Sequence, residues 1–306
     1  SILRKLKHPN ILKLCRTFQD KSHLYFVLEY CKNKDLNTLL EHFGILNFKL
    51  AQYYAAEIIL VISYMHKMGI FHRDLKPENI GIDEDMHLKI FDFGTSNCIN
   101  KYFDKKTKKF IELDEKLINE AKIKNEWSTG NVIKVNDYNI VLLNEQKVGT
   151  LEYSTPEVLE CNYKLIGPMV DIWSFGVTLY KFFYEKTPFK GENDEETSEN
   201  IKNVKYSLKE EVNKSPVPDS VKDLIKKILV KDPTKRLGYN SKDYSYDEIK
   251  NHPFFTGINF ETLENEPVPL NKIYSKLENY GYILPLRNYS LKAKGDIYQN
   301  VLLSFF

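Results

Sequence analysis

The stretch from His72 to Gly94, HRDLKPENIGIDEDMHLKIFDFG, constrains this chain more than any other part of its sequence. It places the carboxylates of Asp74 and Asp92 and the amide of Asn79 on either side of a turn-rich segment. The residues around Asp83 to Asp85 predict two short strands joined by a turn. Such a hairpin would return Asp92 to Asn79, so that oxygen ligands from both ends could share a hard cation such as Mg²⁺. Asp74 would then remain free to orient a hydroxyl.

The same stretch resembles the catalytic loop and the DFG element of eukaryotic protein kinases, with HRDLKPEN and DFG in the family's order. The resemblance implies an α+β, protein-kinase-like fold with a mostly helical large lobe and an incomplete small β lobe. It also implies ATP and Mg²⁺ as cofactors. In that mechanism Asp74 accepts the proton of a hydroxyl, Lys76 stabilises charge at the γ-phosphoryl group, and Asn79 and Asp92 hold the metal.

The composition is that of a folded protein and does not indicate a basic, nucleic-acid-binding surface. The 306 residues are 42% apolar, which is enough for one large two-lobed domain, and the net charge is only +2. The four cysteines are far apart and form no CxxC pair, which is typical of reduced thiols inside the cell. No apolar run approaches the length of a transmembrane helix. We therefore expect a cytoplasmic monomer that acts on protein substrates, binds no nucleic acid and has no transmembrane segment.

The chain opens on SILRKLKHPNILKL, which predicts the last turn of a helix followed by a strand. In the kinase pattern residues 1–28 would be a partial small lobe. The glycine-rich loop and the lysine that grip the ATP phosphates would lie upstream of Ser1, so the sequence as given would lack both. The run HLYFVLEYC, residues 23–31, predicts a buried strand that leads into the hinge between the lobes.

The resemblance also implies a nucleotide site beyond this strand, with Leu28 at the gatekeeper position, although core packing is the better explanation of Leu28 taken alone. The backbones of two hinge residues would pair with adenine, and an acidic side chain would reach the ribose. Gly81 stands where the family usually has an apolar side chain under the adenine ring, which predicts a thinner floor and weaker ATP binding. The implied nucleotide-binding residues are Glu29, Cys31, Asp35, Glu78 and Gly81.

Residues 29–255 are the expected large lobe, and an insert at about 99–147 makes its activation segment far longer than the kinase pattern. The insert is rich in lysine and glutamate, which predicts a solvated, partly helical or disordered segment, with a docking site as the alternative. The pattern resumes at VGTLEYSTPEVLE, where Thr150 is typical of serine/threonine kinases. Its hydroxyl should lie beside Lys76 and Asp74 and help to hold an aliphatic alcohol in line. Residues 256–306 would form a C-terminal tail.

Two long-range supports are implied by the same resemblance. Glu157 should pair with Arg236, because a buried carboxylate needs such a partner. Asp171 begins DIWSFGVTLYKFFY, an apolar run that predicts a helix buried on all sides, and it should brace the backbone of the catalytic loop.

DEDMHLKIFDFGTSN, the VGTxxYxxPE run and PFKGEN together are similar to the phosphoinositide-dependent kinases of the AGC group, over roughly residues 1–263. That similarity implies activation loops of other AGC kinases as substrates. Gln146 replaces the phosphorylated loop serine, Asn97 replaces a lysine that holds the phosphate, and only Arg73 of the pocket is kept. We expect the loop to be set without phosphorylation there. Lys181 replaces an acid of arginine-directed kinases, so a strongly basic substrate consensus is not expected.

Two other functions fit parts of the sequence. A regulatory pseudokinase would bind a partner through the insert, and the missing front of the small lobe favours it. The retained Asp74, Lys76, Asn79 and Asp92 argue against it, since a scaffold has no physical need for that set. A small-molecule phosphotransferase with a related core would lack KPEN and the tie to Arg236.

Overall fold

The computed structural model describes residues 2–98, 150–160, 167–209, 216–241, 243–270 and Gly281, together with the backbone of four short strands between 101 and 141. A turn of 3-10 helix, Ile2–Arg4, precedes an antiparallel pair of strands, β1 (Leu14–Gln19) and β2 (Leu24–Leu28). The prediction of a buried strand over residues 23–31 was wrong in extent and in burial. No residue of β2 is fully buried, because the described part of this sheet has only two strands.

Three helices form the centre of the large lobe: α1 (Leu36–Phe43), α2 (Phe48–Lys67) and α4 (Met169–Tyr184). Asp35 and Asn47 cap the first two, because their side chains accept hydrogen bonds from free N–H groups of the first helical turn. Every residue of α4 except Lys181 is buried, which confirms the prediction of a helix covered on all sides.

Four shorter helices in the described part of the chain surround this centre, and each begins at proline or at aspartate. They are α3 (Pro156–Leu159), α5 (Asp194–Lys202), α6 (Asp219–Ile228) and α7 (Asp247–Lys250). Single 3-10 turns lie at Pro77–Asn79, Phe93–Thr95, Leu151–Tyr153, Pro233–Lys235, Pro253–Phe255 and Leu263–Asn265. The helix-rich α+β fold predicted from the sequence is confirmed.

A short hairpin carries the candidate site. Strand β4 (Ile80–Ile82) pairs in antiparallel register with β5 (Leu88–Ile90), as the sequence predicts. The N–H of Phe91 donates to the carbonyl of Asn79 over 3.0 Å, so the two ends of the hairpin remain adjacent. Strands β3 (Ile70–Phe71) and β6 (Asn97–Cys98) pair beside it.

The described part of the insert consists of two further antiparallel pairs. Strand β7 (Lys101–Asp104) pairs with β8 (Lys109–Glu112), and β9 (Val132–Val135) pairs with β10 (Tyr138–Val141). These strands were not predicted from the sequence. The other residues of the insert lie outside the described part, so its predicted helical or disordered character is not tested.

The start of the predicted tail belongs to the core. The Tyr53 hydroxyl on α2 donates to the carbonyls of Leu263 and Glu266, and Leu263, Val268 and Leu270 are buried. Residues 256–270 therefore pack on the large lobe. None of the helices in the described ranges has both the length and the apolar character needed to cross a membrane.

Candidate active site

A buried carboxylate at the start of α4 holds the catalytic loop. The Asp171 oxygens accept hydrogen bonds from the backbone N–H of His72 (2.7 Å) and of Arg73 (2.8 Å), and His66 Nε2 lies 2.8 Å away. Burial alone would raise the pKa of Asp171, but the hydrogen bond and charge of His66 outweigh it and lower that pKa. Asp171 therefore fixes the loop as an ionised acceptor, as the sequence predicts. Arg73 has a left-handed backbone (φ 71°), which these bonds stabilise.

A second buried carboxylate anchors the segment after Thr150. Glu157 and Arg236 form a two-pronged ion pair, with both N–O distances at 2.7 Å, and the Arg236 guanidinium lies 4.8 Å from the ring centre of Trp173. This confirms the predicted tie. We call Asp171, His66, Glu157 and Arg236 the brace.

The predicted catalytic residues converge beside this brace. Lys76 Nζ lies 3.0 Å from Asp74 Oδ2 and donates to the Thr150 hydroxyl over 2.6 Å. The Thr150 N–H donates to Asp74 Oδ1 over 3.2 Å. Asn79 Nδ2 donates to the Asp74 carbonyl (2.8 Å) and to its Oδ2 (3.0 Å). Asp74, Lys76, Asn79 and Thr150 are called the catalytic cluster below.

The residues expected to bind Mg²⁺ fit such an ion. Because Asn79 donates through Nδ2 to Asp74, its Oδ1 atom stays available as a ligand. Asp92 is exposed, its backbone is left-handed (φ 59°), and Gly94 N–H donates to one of its oxygens over 3.2 Å. Among the residues that the structure describes, no three His, Cys, Asp or Glu side chains cluster as a cage for a metal ion. Mg²⁺ prefers one or two such oxygens together with water and substrate phosphates, which this open pair allows.

The DFG phenylalanine is held against the same loop. The Phe93 ring meets the His72 ring edge-on at 4.9 Å, and His72 Nε2 lies 2.9 Å from the Phe91 carbonyl. Thr95 Oγ1 donates to the His72 carbonyl over 3.1 Å. The chain on both sides of Asp92 is therefore fixed to the catalytic loop.

The predicted nucleotide residues lie around one rung of the hairpin. Asp35 forms an isolated β-bridge with Gly81, and the Asp35 carboxylate accepts from the Thr38 N–H and hydroxyl. The space that a side chain at Gly81 would occupy is filled by Cys31. Among the described residues, no hydrogen bond within the protein uses the Glu29 carbonyl or the Cys31 N–H. Their pairing with adenine stays a prediction.

The structure describes only some of the other predicted positions. Glu78 is exposed beside the catalytic cluster, and it adds to the burial that raises the pKa of Tyr153 well above its usual range. Lys181 Nζ donates to Asn37 Oδ1 over 2.6 Å. Gln146 and Gly149 lie outside the described residues, as does the Asn97 side chain, so the idea of a loop set without phosphorylation stays a hypothesis.

Two contacts near the site were missed from the sequence. His66, in the last turn of α2, supports Asp171 although the two residues are far apart in the chain. Lys89 Nζ lies 3.3 Å from Glu29 Oε1 and donates to the Pro9 carbonyl over 2.7 Å, which links the hairpin to the start of the hinge. No local pattern predicts either contact. A histidine in the last turn of a helix and a lysine in a strand are both ordinary surface residues by default.

These features define a protein kinase domain. Residues 1–255 match the protein kinase domain family, and the chain belongs to that family.

Curated relatives of the chain are serine/threonine-protein kinases, and some of them are named as 3-phosphoinositide-dependent protein kinases. The chain is 38% identical to the serine/threonine-protein kinase ksg1 of Schizosaccharomyces pombe, over 86% of this chain and 38% of that protein. It is 36% identical to the serine/threonine-protein kinase PKH2 of Saccharomyces cerevisiae, over 85% of this chain and 20% of that protein. It is 32% identical to human 3-phosphoinositide-dependent protein kinase 1, over 88% of this chain and 40% of that protein. The chain thus spans between a fifth and two fifths of these relatives, and the resemblance to phosphoinositide-dependent kinases is confirmed.

Proposed function

We propose that the protein transfers the γ-phosphoryl group of ATP to serine or threonine hydroxyls of protein substrates. The observation that carries this proposal is the catalytic cluster, in which Asp74, Lys76 and Thr150 contact one another within 3.2 Å. A structural role alone would not require a nearly buried acid and a cation to meet at an exposed hydroxyl.

The mechanism relies on position and charge. The Asp74 carboxylate orients the substrate hydroxyl and accepts its proton. Lys76 is fixed between Asp74 and Thr150, so that its ammonium group faces the transferred phosphoryl group and stabilises the charge there. Asn79 Oδ1 and the Asp92 carboxylate would hold Mg²⁺, which neutralises the phosphate oxygens when bound. Thr150 keeps the alcohol in line.

The substrates that we propose are the activation loops of other AGC kinases. The support is the similarity to relatives named 3-phosphoinositide-dependent protein kinase. The Lys181 ammonium on α4 adds a cation beside α1, which disfavours strongly basic peptides. We further propose that the protein acts as a cytoplasmic monomer without a nucleic-acid partner.

A phosphoryl-transfer assay on the full-length protein tests the proposal. The protein is incubated with labelled ATP, Mg²⁺ and activation-loop peptides that carry serine, threonine or tyrosine at the acceptor position. We expect label on serine and threonine, little on tyrosine, and a loss of about 10²-fold or more in the Asp92→Asn variant. The matched control is Asp194→Asn, at an exposed carboxylate in the first turn of α5.

The regulatory pseudokinase predicts a different outcome. Such a protein would transfer no phosphate from ATP in the presence of Mg²⁺, and the Asp92→Asn and Asp194→Asn variants would behave alike. That result would overturn the proposed activity.

A further inference from the structure

The segment after β2 packs against the β4–β5 hairpin at the rung where Gly81 faces Lys89. A Cβ atom added to Gly81 would lie 2.4 Å from Cys31 Sγ and 3.0 Å from Cys31 Cβ. Real Cβ atoms do not approach a neighbour to 2.4 Å, so any side chain at position 81 would displace Cys31. The Gly81 backbone does not lie in the left-handed region. The close approach of Cys31, and not backbone conformation, therefore requires glycine here.

Further contacts hold this segment on the hairpin. Asn33 N–H donates to the Ile82 carbonyl over 3.1 Å, and Ile82 N–H donates to the Lys34 carbonyl over 2.9 Å. The ion pair between Lys89 and Glu29 fixes the other end at 3.3 Å. The Cys31 side chain thus lies in a segment that is anchored before and after it, next to the Glu29 carbonyl and the Cys31 N–H. A carbonyl and an N–H two residues apart offer the acceptor and donor that the edge of an adenine base requires.

We infer that Cys31, seated over Gly81, forms the large-lobe floor of the adenine subsite and determines how tightly the base packs there. The inference rests on the proposed ATP-dependent function and names a specificity residue within it. It replaces the expectation of a thinner floor under the adenine ring, because the Cys31 side chain fills the space that a side chain at position 81 would occupy.

The chemistry of the thiol suits this role. Burial raises the pKa of Cys31 to about 12, with the charges of Glu29 and Asp83 acting in the same direction. The thiol therefore stays neutral near pH 7 and packs as a small, polarisable, weakly polar group.

An exchange of side chains across the contact tests the inference by kinetics in the full-length protein. We expect Gly81→Ala to raise the KM for ATP about tenfold, since the added methyl displaces the thiol, and Cys31→Gly to raise it severalfold. The combined variant should return to within about threefold of the wild type, because the methyl at position 81 then occupies the space of the thiol. The kcat should change less than the KM. Single effects that simply multiply in the combined variant would overturn the inference.

A second measurement does not depend on turnover. The wild-type protein is treated with an excess of a thiol-alkylating reagent under alkaline conditions, for long enough to label Cys31 without nucleotide despite its raised pKa, and peptides carrying Cys31 and Cys15 are followed over time by mass spectrometry. Adenosine and ATP should both slow alkylation of Cys31, because the floor contacts the base. Cys15, which is exposed on β1, should be unaffected and is the internal control.

The two measurements separate this inference from the proposed function. If no phosphate is transferred but adenosine protects Cys31, the proposed activity fails and the adenine floor stands. If phosphate is transferred while adenosine and ATP leave Cys31 alkylation unchanged, the floor is wrong and the activity stands.

Discussion

The brace and the catalytic cluster use the same kinds of side chain in opposite ways. In the brace, the Glu157 and Arg236 side chains are at most 2% exposed, and the arginine also donates to three backbone carbonyls. In the catalytic cluster, the Lys76 side chain is 17% exposed and Thr150 is exposed, and none of the described residues donates to Asn79 Oδ1. Polar groups that are buried and fully paired fix a structure, whereas groups left partly unpaired at its edge remain available to a substrate. Substitutions in the two regions should therefore affect different properties.

The largest effect is expected at Asp74. Asp74→Asn keeps the size of the side chain but removes the base, so the rate of phosphoryl transfer should fall by about 10²–10⁴-fold. The melting temperature should change little, because asparagine keeps an oxygen that can accept from the Thr150 N–H, and Lys76 still donates to the Thr150 hydroxyl. Steady-state kinetics and thermal melting of the same preparation check both parts. A large loss of stability would show that Asp74 has a structural role like that of the brace residues.

The next effect concerns stability. Glu157→Ala leaves the buried Arg236 guanidinium without its carboxylate, which should cost about 3–5 kcal/mol in the free energy of unfolding. Glu160, three residues on, forms an exposed pair with Lys231 at 2.8 Å and is the matched control. Glu160→Ala should cost less than about 1 kcal/mol. Denaturant unfolding measures both variants, and equal costs would contradict the distinction between buried and exposed pairs.

A smaller effect is expected at Thr150. Thr150→Val removes the hydroxyl that accepts from Lys76 and should lower kcat/KM about tenfold, roughly what one hydrogen bond to a charged group contributes. Thr150→Ser keeps the hydroxyl and should stay close to the wild type. If valine and serine give the same kinetics, the hydroxyl has no part in catalysis.

The smallest effect is expected at the pair of His87 and Glu57, in which one side chain is buried and the other is partly exposed. His87 Nδ1 lies 2.7 Å from Glu57 Oε1, with the glutamate fully buried and the His87 side chain 18% exposed. Burial lowers the pKa of His87, but the hydrogen bond and charge of Glu57 outweigh it and raise that pKa above its ordinary value.

A raised histidine pKa stabilises the fold fully below the unfolded value of about 6.5, and this stabilisation is lost as the pH rises through the folded value. His87→Gln should therefore lower the free energy of unfolding more in mildly acidic buffer than in alkaline buffer. Unfolding by denaturant across this pH range measures the difference. A cost that does not vary with pH would show that His87 acts by packing alone.

Much of the site could be predicted because its parts are close in sequence or carry specific motifs. The hairpin between Asn79 and Asp92 follows from turn residues between two short apolar runs, and the structure confirms it. The pairing of Glu157 with Arg236 was implied by the family resemblance and is present at 2.7 Å. The burial of β2 was predicted wrongly, because an apolar strand pattern does not show how many neighbouring strands cover it.

The class of the protein, the hairpin and the acid, cation and amide of the catalytic cluster could all be predicted from motifs in the sequence. Local spacing fixes such features, since turns and short strands depend on neighbouring residues. The contact of His66 with Asp171 and the position of Cys31 in the space above Gly81 are visible in the folded protein alone. These contacts join distant parts of the chain, and the close packing of the interior, which no local pattern records, determines which side chain fills each space.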